Sequence, residues 1–201
     1  MPSRKFGDTG QAFPIYIMVV AGLLFLAFAY FAVGQAAVNR NGAQTAADAA
    51  ALAAAQQTRD QLAGQWTLDI LDPTKWGDIF KGVGAVDGCG RAGQLAAQND
   101  ASLESCQHDV LSYTVGVTTN KTVGQSVVPG TENMKSDAQA TAVIEPLCTF
   151  ELPGEAAAGA PLPELTCKDK NWDLNPDDPT GLPKPQDLFD VHLAESQAND
   201  E

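Results

Sequence analysis

Histidine is almost absent from this chain of 201 residues, for His108 and His192 are the only two. Neither stands in an H-E-x-x-H pair and no G-x-S-x-G elbow occurs, so a metalloprotease or a serine-hydrolase triad has no local support. Cysteine is sparse as well, and Cys89, Cys106, Cys148 and Cys167 are set too far apart for the C-x-x-C pairs of a structural zinc site. The glycines between Gly82 and Gly90 lack the Gly-Lys-Ser/Thr of a phosphate loop. Positive charge is scarce too: 12 Lys and Arg face 25 Asp and Glu, a net charge of −13. Such a surface repels phosphate backbones and argues against nucleic acid as a partner. Charge of either sign is missing altogether from Thr9 to Asn39, and this is the most informative of the absences.

Inside that uncharged stretch lies the apolar run Phe13 to Val33. Its 21 residues at ~1.5 Å rise cover about 32 Å, which matches a hydrocarbon core of ~30 Å. A helix satisfies its own backbone hydrogen bonds and so crosses lipid alone. The run is long for a signal-peptide apolar core, although Ala32-Val33-Gly34 and Gly34-Gln35-Ala36 offer small residues for cleavage. Arg4 and Lys5 precede it and most acids follow it, which places the short N-terminus in the cytoplasm and the rest outside; Arg40 is a mild counter-signal. The expected organisation is a cytoplasmic 1–12, a transmembrane helix 13–34 in the cytoplasmic membrane, an alanine-rich continuation 35–63, an extracytoplasmic domain 64–147 and an acidic, Pro-rich segment 148–201. The final segment from Glu145 holds 13 acids against Lys168, Lys170 and Lys184, a composition that serves solubility.

The alanine-rich stretch carries eleven alanines between Ala36 and Ala55, and alanine is the best helix former. One helix from Phe13 to about Ala63 is expected, with Pro14 in its first turn and a possible bend at Gly34 or Gly42. Ala46, Ala49, Ala50 and Ala53, with Leu52, form a smooth face open to two uses. It packs either on the chain's own domain or against other subunits.

Beyond the helix, Asp72-Pro73 is a start signal for a helix from Pro73 to Phe80, and Trp66 and Trp76 read as core. Arg91 to about Gln107 reads as a further helix. Alternation from Leu111 to Thr118 predicts a strand, Asn120-Lys121 a turn, Thr122 to Val128 a second strand and Ala138 to Ile144 a third, as an antiparallel meander. Pro-rich segments after Pro146 bury little, while Leu188, Phe189, Val191 and Leu193 dock back on the domain. The fold class is α+β. In an oxidising compartment the four cysteines pair as two disulfides, Cys89 with Cys106 and Cys148 with Cys167 by shortest loops. A straight helix from Arg91 to Gln107 would hold Cys89 and Cys106 apart, so that helix must be shorter or the pairing different.

Catalytic, cofactor-binding and metal residues are expected to be none. Glu145, Glu151 and Glu155 have nothing that marks two of them as an acid–base pair. Asp173, Asn175 and Asp177 imitate the opening of a calcium loop, but Asp178 and Lys184 stand at its sixth and twelfth positions instead of Gly and Glu. Asn120-Lys121-Thr122 matches a glycosylation sequon.

Gly10-Gln11-Ala12-Phe13-Pro14 before the apolar run and the stretch from Gln44 to Ala55, with its D-A-A-A-L-A-A-A core, resemble the N-terminal region of TadG-like and TadE-like proteins. These belong to the tight-adherence (Tad, or Flp) pilus assembly family of bacteria. Val123 to Asn133 and Leu188 to Leu193 look like the variant in Gram-positive members. The resemblance implies a pilin-like, non-enzymatic component of pilus assembly, with other pilus subunits as partners through the N-terminal helix. A processed pilin of the wider family carries Glu at the fifth position after the cleavage-site glycine. Ile15 stands there after Gly10, which points to a minor or accessory role. The alternative is a membrane-tethered binding module or adhesin.

Overall fold

The computed structural model describes residues 12–124, 132–152, 162–168, 170–175, 178 and 181–194. One helix, α1 (Ala12–Leu68), accounts for 57 of them and spans ~85 Å at 1.5 Å per residue. It runs through Gly34 and Gly42 unbroken and ends five residues beyond the expected Ala63. Its burial changes abruptly along its length. From Phe13 to Gly42 its residues are exposed or partly exposed, whereas Ala43 is fully buried. Ala46, Ala47, Ala50, Ala51, Ala54, Ala55, Thr58, Leu62 and Trp66 then recur at helical spacing as a buried stripe.

Against that stripe lies a four-stranded antiparallel sheet in the order β1-β2-β3-β7, made of β1 (Ala101–Asp109), β2 (Ser112–Thr119), β3 (Asp137–Pro146) and β7 (Phe189–Leu193). Strand alternation sends Tyr113, Val115 and Val117 of β2 and Ala140, Ala142 and Ile144 of β3 into the core. Alanines of α1 thus share one core with alanines of β3. With small side chains on both surfaces, helix and sheet approach closely.

The connection between α1 and the sheet holds a 3-10 turn (Pro73–Lys75), α2 (Trp76–Phe80) and α3 (Cys89–Gln98). Asp72 is the cap residue and Pro73 opens the turn, as the Asp-Pro signal predicts. The helix expected over Arg91–Gln107 is corrected here: α3 stops at Gln98 and β1 begins at Ala101. Asn99 folds back to donate from Nδ2 to the Leu95 carbonyl at 2.8 Å, and Asp100 takes a left-handed φ of 57°. These two residues reverse the chain. Cys106 therefore returns on β1 towards Cys89 at the start of α3, and the two form a disulfide with Cα atoms 5.9 Å apart. The strand expected over Thr122–Val128 is also revised: residues 122–124 are not in a strand, and 125–128 lie outside the described residues. The partner that completes the meander is β1.

A second sheet is formed by β4 (Cys148–Phe150), β5 (Leu165–Cys167) and β6 (Lys170–Trp172), with Cys148 directly opposite Cys167 and disulfide-bonded to it. The expectation of little burial after Pro146 does not extend to this sheet or to the short α4 (Pro185–Leu188), since Leu165, Leu188 and Phe189 are fully buried. Aromatic rings join the parts: Trp66 to Trp76 at 5.5 Å, Trp76 to Phe150 at 5.3 Å, Phe80 to Phe150 at 6.0 Å and Phe80 to Phe189 at 5.3 Å between centroids. Both tryptophans are core residues.

Candidate interaction surface of the long helix

The upper half of α1 is held on its head by polar contacts as well as by the alanine stripe. Thr58, Gln61 and Gln65 lie along one side of the helix and bind the loop that follows α2. Gln61 Oε1 accepts from the Val86 N–H at 3.1 Å, and Gln65 Nε2 donates to the Gly84 carbonyl at 3.0 Å. The buried Tyr113 hydroxyl accepts from the Gly88 N–H at 2.9 Å and lies 2.6 Å from Thr58 Oγ1, itself 3.3 Å from the Val86 carbonyl. Every group is satisfied when Tyr113 donates to Thr58 and Thr58 donates to Val86. Gly88 is required for contact, because a Cβ there would lie 2.5 Å from the Ala54 carbonyl oxygen.

The alanine face of α1 points largely into the head. Ala46 and Ala50 are fully buried and Ala53 is 9% exposed, all within the chain's own head. Ala49 is half-buried and lines, with Ala53 and Gln56, an open cleft of about 990 Å³ whose other wall is Gly90, Arg91 and Gln94 of α3. Of the two uses open to this face, packing on the chain's own domain is the one observed.

The lower half of α1 has no such cover among the described residues. Phe13, Ile15, Tyr16, Met18, Leu23, Phe25 and Phe31 are each more than half exposed, and no residue of the most apolar stretch is buried. The helix is long and apolar enough to cross a membrane. An apolar surface of this length on one isolated helix needs lipid or other helices around it.

Among the described residues two clusters contain metal-ligand side chains. Asp87 lies near Cys89 and Cys106, whose sulfurs are spent in their disulfide. Glu145, Asp190 and His192 bring one ligand atom each within 4.8 Å of the others on the outer face of β3 and β7, where Glu145 and His192 are exposed. His192 Nδ1 lies 3.3 Å from Asp190 Oδ2. His108, the other histidine, stacks on the Tyr113 ring at 4.6 Å. Of the calcium-like run, Asp177 lies outside the described residues, as do Gly10 and Gln11 of the N-terminal motif and the basic pair Arg4 and Lys5.

A bare apolar half-helix continuous with a disulfide-bonded α+β head defines the class: a helix-tailed protein whose tail requires surroundings that the head does not supply. Residues 10–57 match the Tad family model of Flp pilus-assembly, TadE/G-like proteins, and over that segment the chain is similar to that family. The match takes in the uncovered half of α1 and most of the alanine stripe, and it ends before the sheet begins. Comparison with curated proteins and with solved structures gives no match.

The polar ladder of Thr58, Gln61 and Gln65 was not foreseen from the sequence. Its only trace there is the polar spacing itself, which does not reveal a loop arriving from 19 to 28 residues further on.

Proposed function

We propose that this chain is a membrane-anchored, non-enzymatic component of Flp pilus assembly, acting as a minor pilin-like or accessory subunit. The observation that carries the reading is the coincidence of the family match at 10–57 with a helix whose lower half is apolar and uncovered. In this reading α1 holds the chain in the cytoplasmic membrane once, with Arg4 and Lys5 on the cytoplasmic side and the head outside, where its cysteines oxidise. Other pilus subunits pack against the lower half of α1. The alanine stripe is spent on the head and is not their docking face. Ile15, in place of the Glu of processed pilins, supports an accessory place instead of the filament shaft.

The test is a clean deletion of the gene in its own host, with electron microscopy of surface filaments and complementation by the full chain. Loss of Flp filaments, restored on complementation, is the expected outcome. Filaments of normal number and length in the deletion strain refute an assembly role.

A further inference from the structure

On the face of the main sheet turned away from α1, Glu145 of β3 and Asp190 of β7 stand directly opposite each other in the antiparallel register. His192 follows Asp190 by two residues and so projects from the same face. One ligand atom from each of the three lies within 4.8 Å of the others. Carboxylates directly opposite on neighbouring strands repel, and β1, β2, β3 and β7 contain no Lys or Arg to offset them. The charge missing from this cluster is positive.

The donor set points to the kind of cation. Zn²⁺ bonds to imidazole nitrogen and carboxylate oxygen at about 2.0–2.2 Å, so two ligands of one tetrahedral ion stand about 3.3–3.5 Å apart. His192 Nδ1 and Asp190 Oδ2 stand 3.3 Å apart, longer than the ~2.7–2.9 Å of a charge-assisted hydrogen bond. Imidazole favours Zn²⁺ and its transition-metal neighbours, whereas Ca²⁺ takes about six to eight oxygens, more than these side chains present. The groups are also within reach of an ion from solution. The side chains of Asp190 and His192 are 47% and 46% exposed, and Glu145 is exposed.

We propose that Glu145, Asp190 and His192 bind one divalent transition-metal ion, typified by Zn²⁺, with water completing its coordination. Because β7 is an edge strand held in the sheet by β3 alone, the ion adds a second link to their backbone ladder and fastens the last strand of the head. It does so whether or not α1 crosses a membrane. The unfolded chain does not hold Glu145 beside the other two, so the ion binds the folded head and stabilises it by mass action.

Calorimetric titration of ZnCl₂ into the full chain, purified in mild detergent without a histidine tag and stripped of metal, tests the site. One Zn²⁺ per chain is expected, bound more tightly than Ca²⁺. His192→Ala and Asp190→Asn each lower the affinity at least about tenfold, since losing even an outer partner costs that much at a metal site. Asp60→Asn on α1 leaves it unchanged. Zn²⁺ raises the thermal midpoint of the unaltered head but not that of His192→Ala. Nitrogen NMR of the unaltered chain decides the matter even if a variant misfolds: the His192 ring signals shift on Zn²⁺ addition while those of His108, stacked on Tyr113, stay in place. No binding, equal affinity for Ca²⁺ and Zn²⁺, undiminished affinity in a folded His192→Ala, or equal shifts of both histidines overturns the proposal.

Discussion

The Tyr113 hydroxyl joins three parts of the molecule that are remote in sequence: β2, the loop at Gly88 and α1 at Thr58. Replacing it with Phe leaves the Gly88 N–H and one side of Thr58 unpaired in the interior, and a buried group left so costs about 1–3 kcal/mol. Urea unfolding of the full chain in detergent should show a loss of that size for Tyr113→Phe, and no change would mean that water replaces the hydroxyl. At the surface, Asp72 accepts a hydrogen bond from Thr74 Oγ1 at 2.5 Å, and this bond, aided by Lys75, holds its carboxyl below the usual aspartate value. Lys75 is raised, chiefly by its hydrogen bond to Asp69 at 2.6 Å. The depressed Asp72 contributes stability above its unfolded value and loses it as pH falls through the folded one. The raised Lys75 contributes below the unfolded lysine value and loses it as pH rises through the folded one. Both groups are exposed, so the contributions are small. NMR titration of Thr74→Val should show the Asp72 value moving up; an unmoved value would assign the depression to Lys75.

Among the elements, α1 is two helices in function joined without a break. Ala50 is fully buried beneath the sheet, so Ala50→Glu places an uncompensated charge in the core at a cost of about 3 kcal/mol or more. The head should lose its protection from limited proteolysis while the chain stays in the membrane fraction. Ala49→Glu, which reaches the open cleft beside α3, should leave the head protected. Equal protease sensitivity of the two variants would contradict the packing. The existence of α1 and its alanine stripe were legible because periodicity and propensity are local. The α3 to β1 boundary was not, because Ala92, Leu95, Ala96 and Leu103 suit a helical period while the reversal depends on Asn99 and Asp100. Even so, the misfit between a long straight helix and the Cys89–Cys106 pairing already held the clue. For β1, pairing with β2 overrides that apparent helical period.

At the scale of the whole molecule, the two disulfides close short loops, with sequence separations of 17 and 19 residues. Cys148–Cys167 fixes β4 against β5, and replacing both cysteines with Ser should cost about 2–4 kcal/mol. Non-reducing peptide mapping of protein from the native host should return Cys89–Cys106 and Cys148–Cys167; four free thiols would contradict export of the head. From its sequence alone, this protein was bound to have a long uncharged apolar helix running on into alanine, an acidic remainder and four cysteines in that remainder. These follow from composition and from periodicity within one element. Only the tertiary structure decided that the alanine face is covered by the chain's own sheet, that β1 replaces half of a helix, and that Glu145 meets Asp190 and His192 across β3 and β7. The physical reason is that burial, strand pairing and the meeting of Thr58 with Tyr113 depend on residues far apart in the chain, whose approach no local pattern encodes.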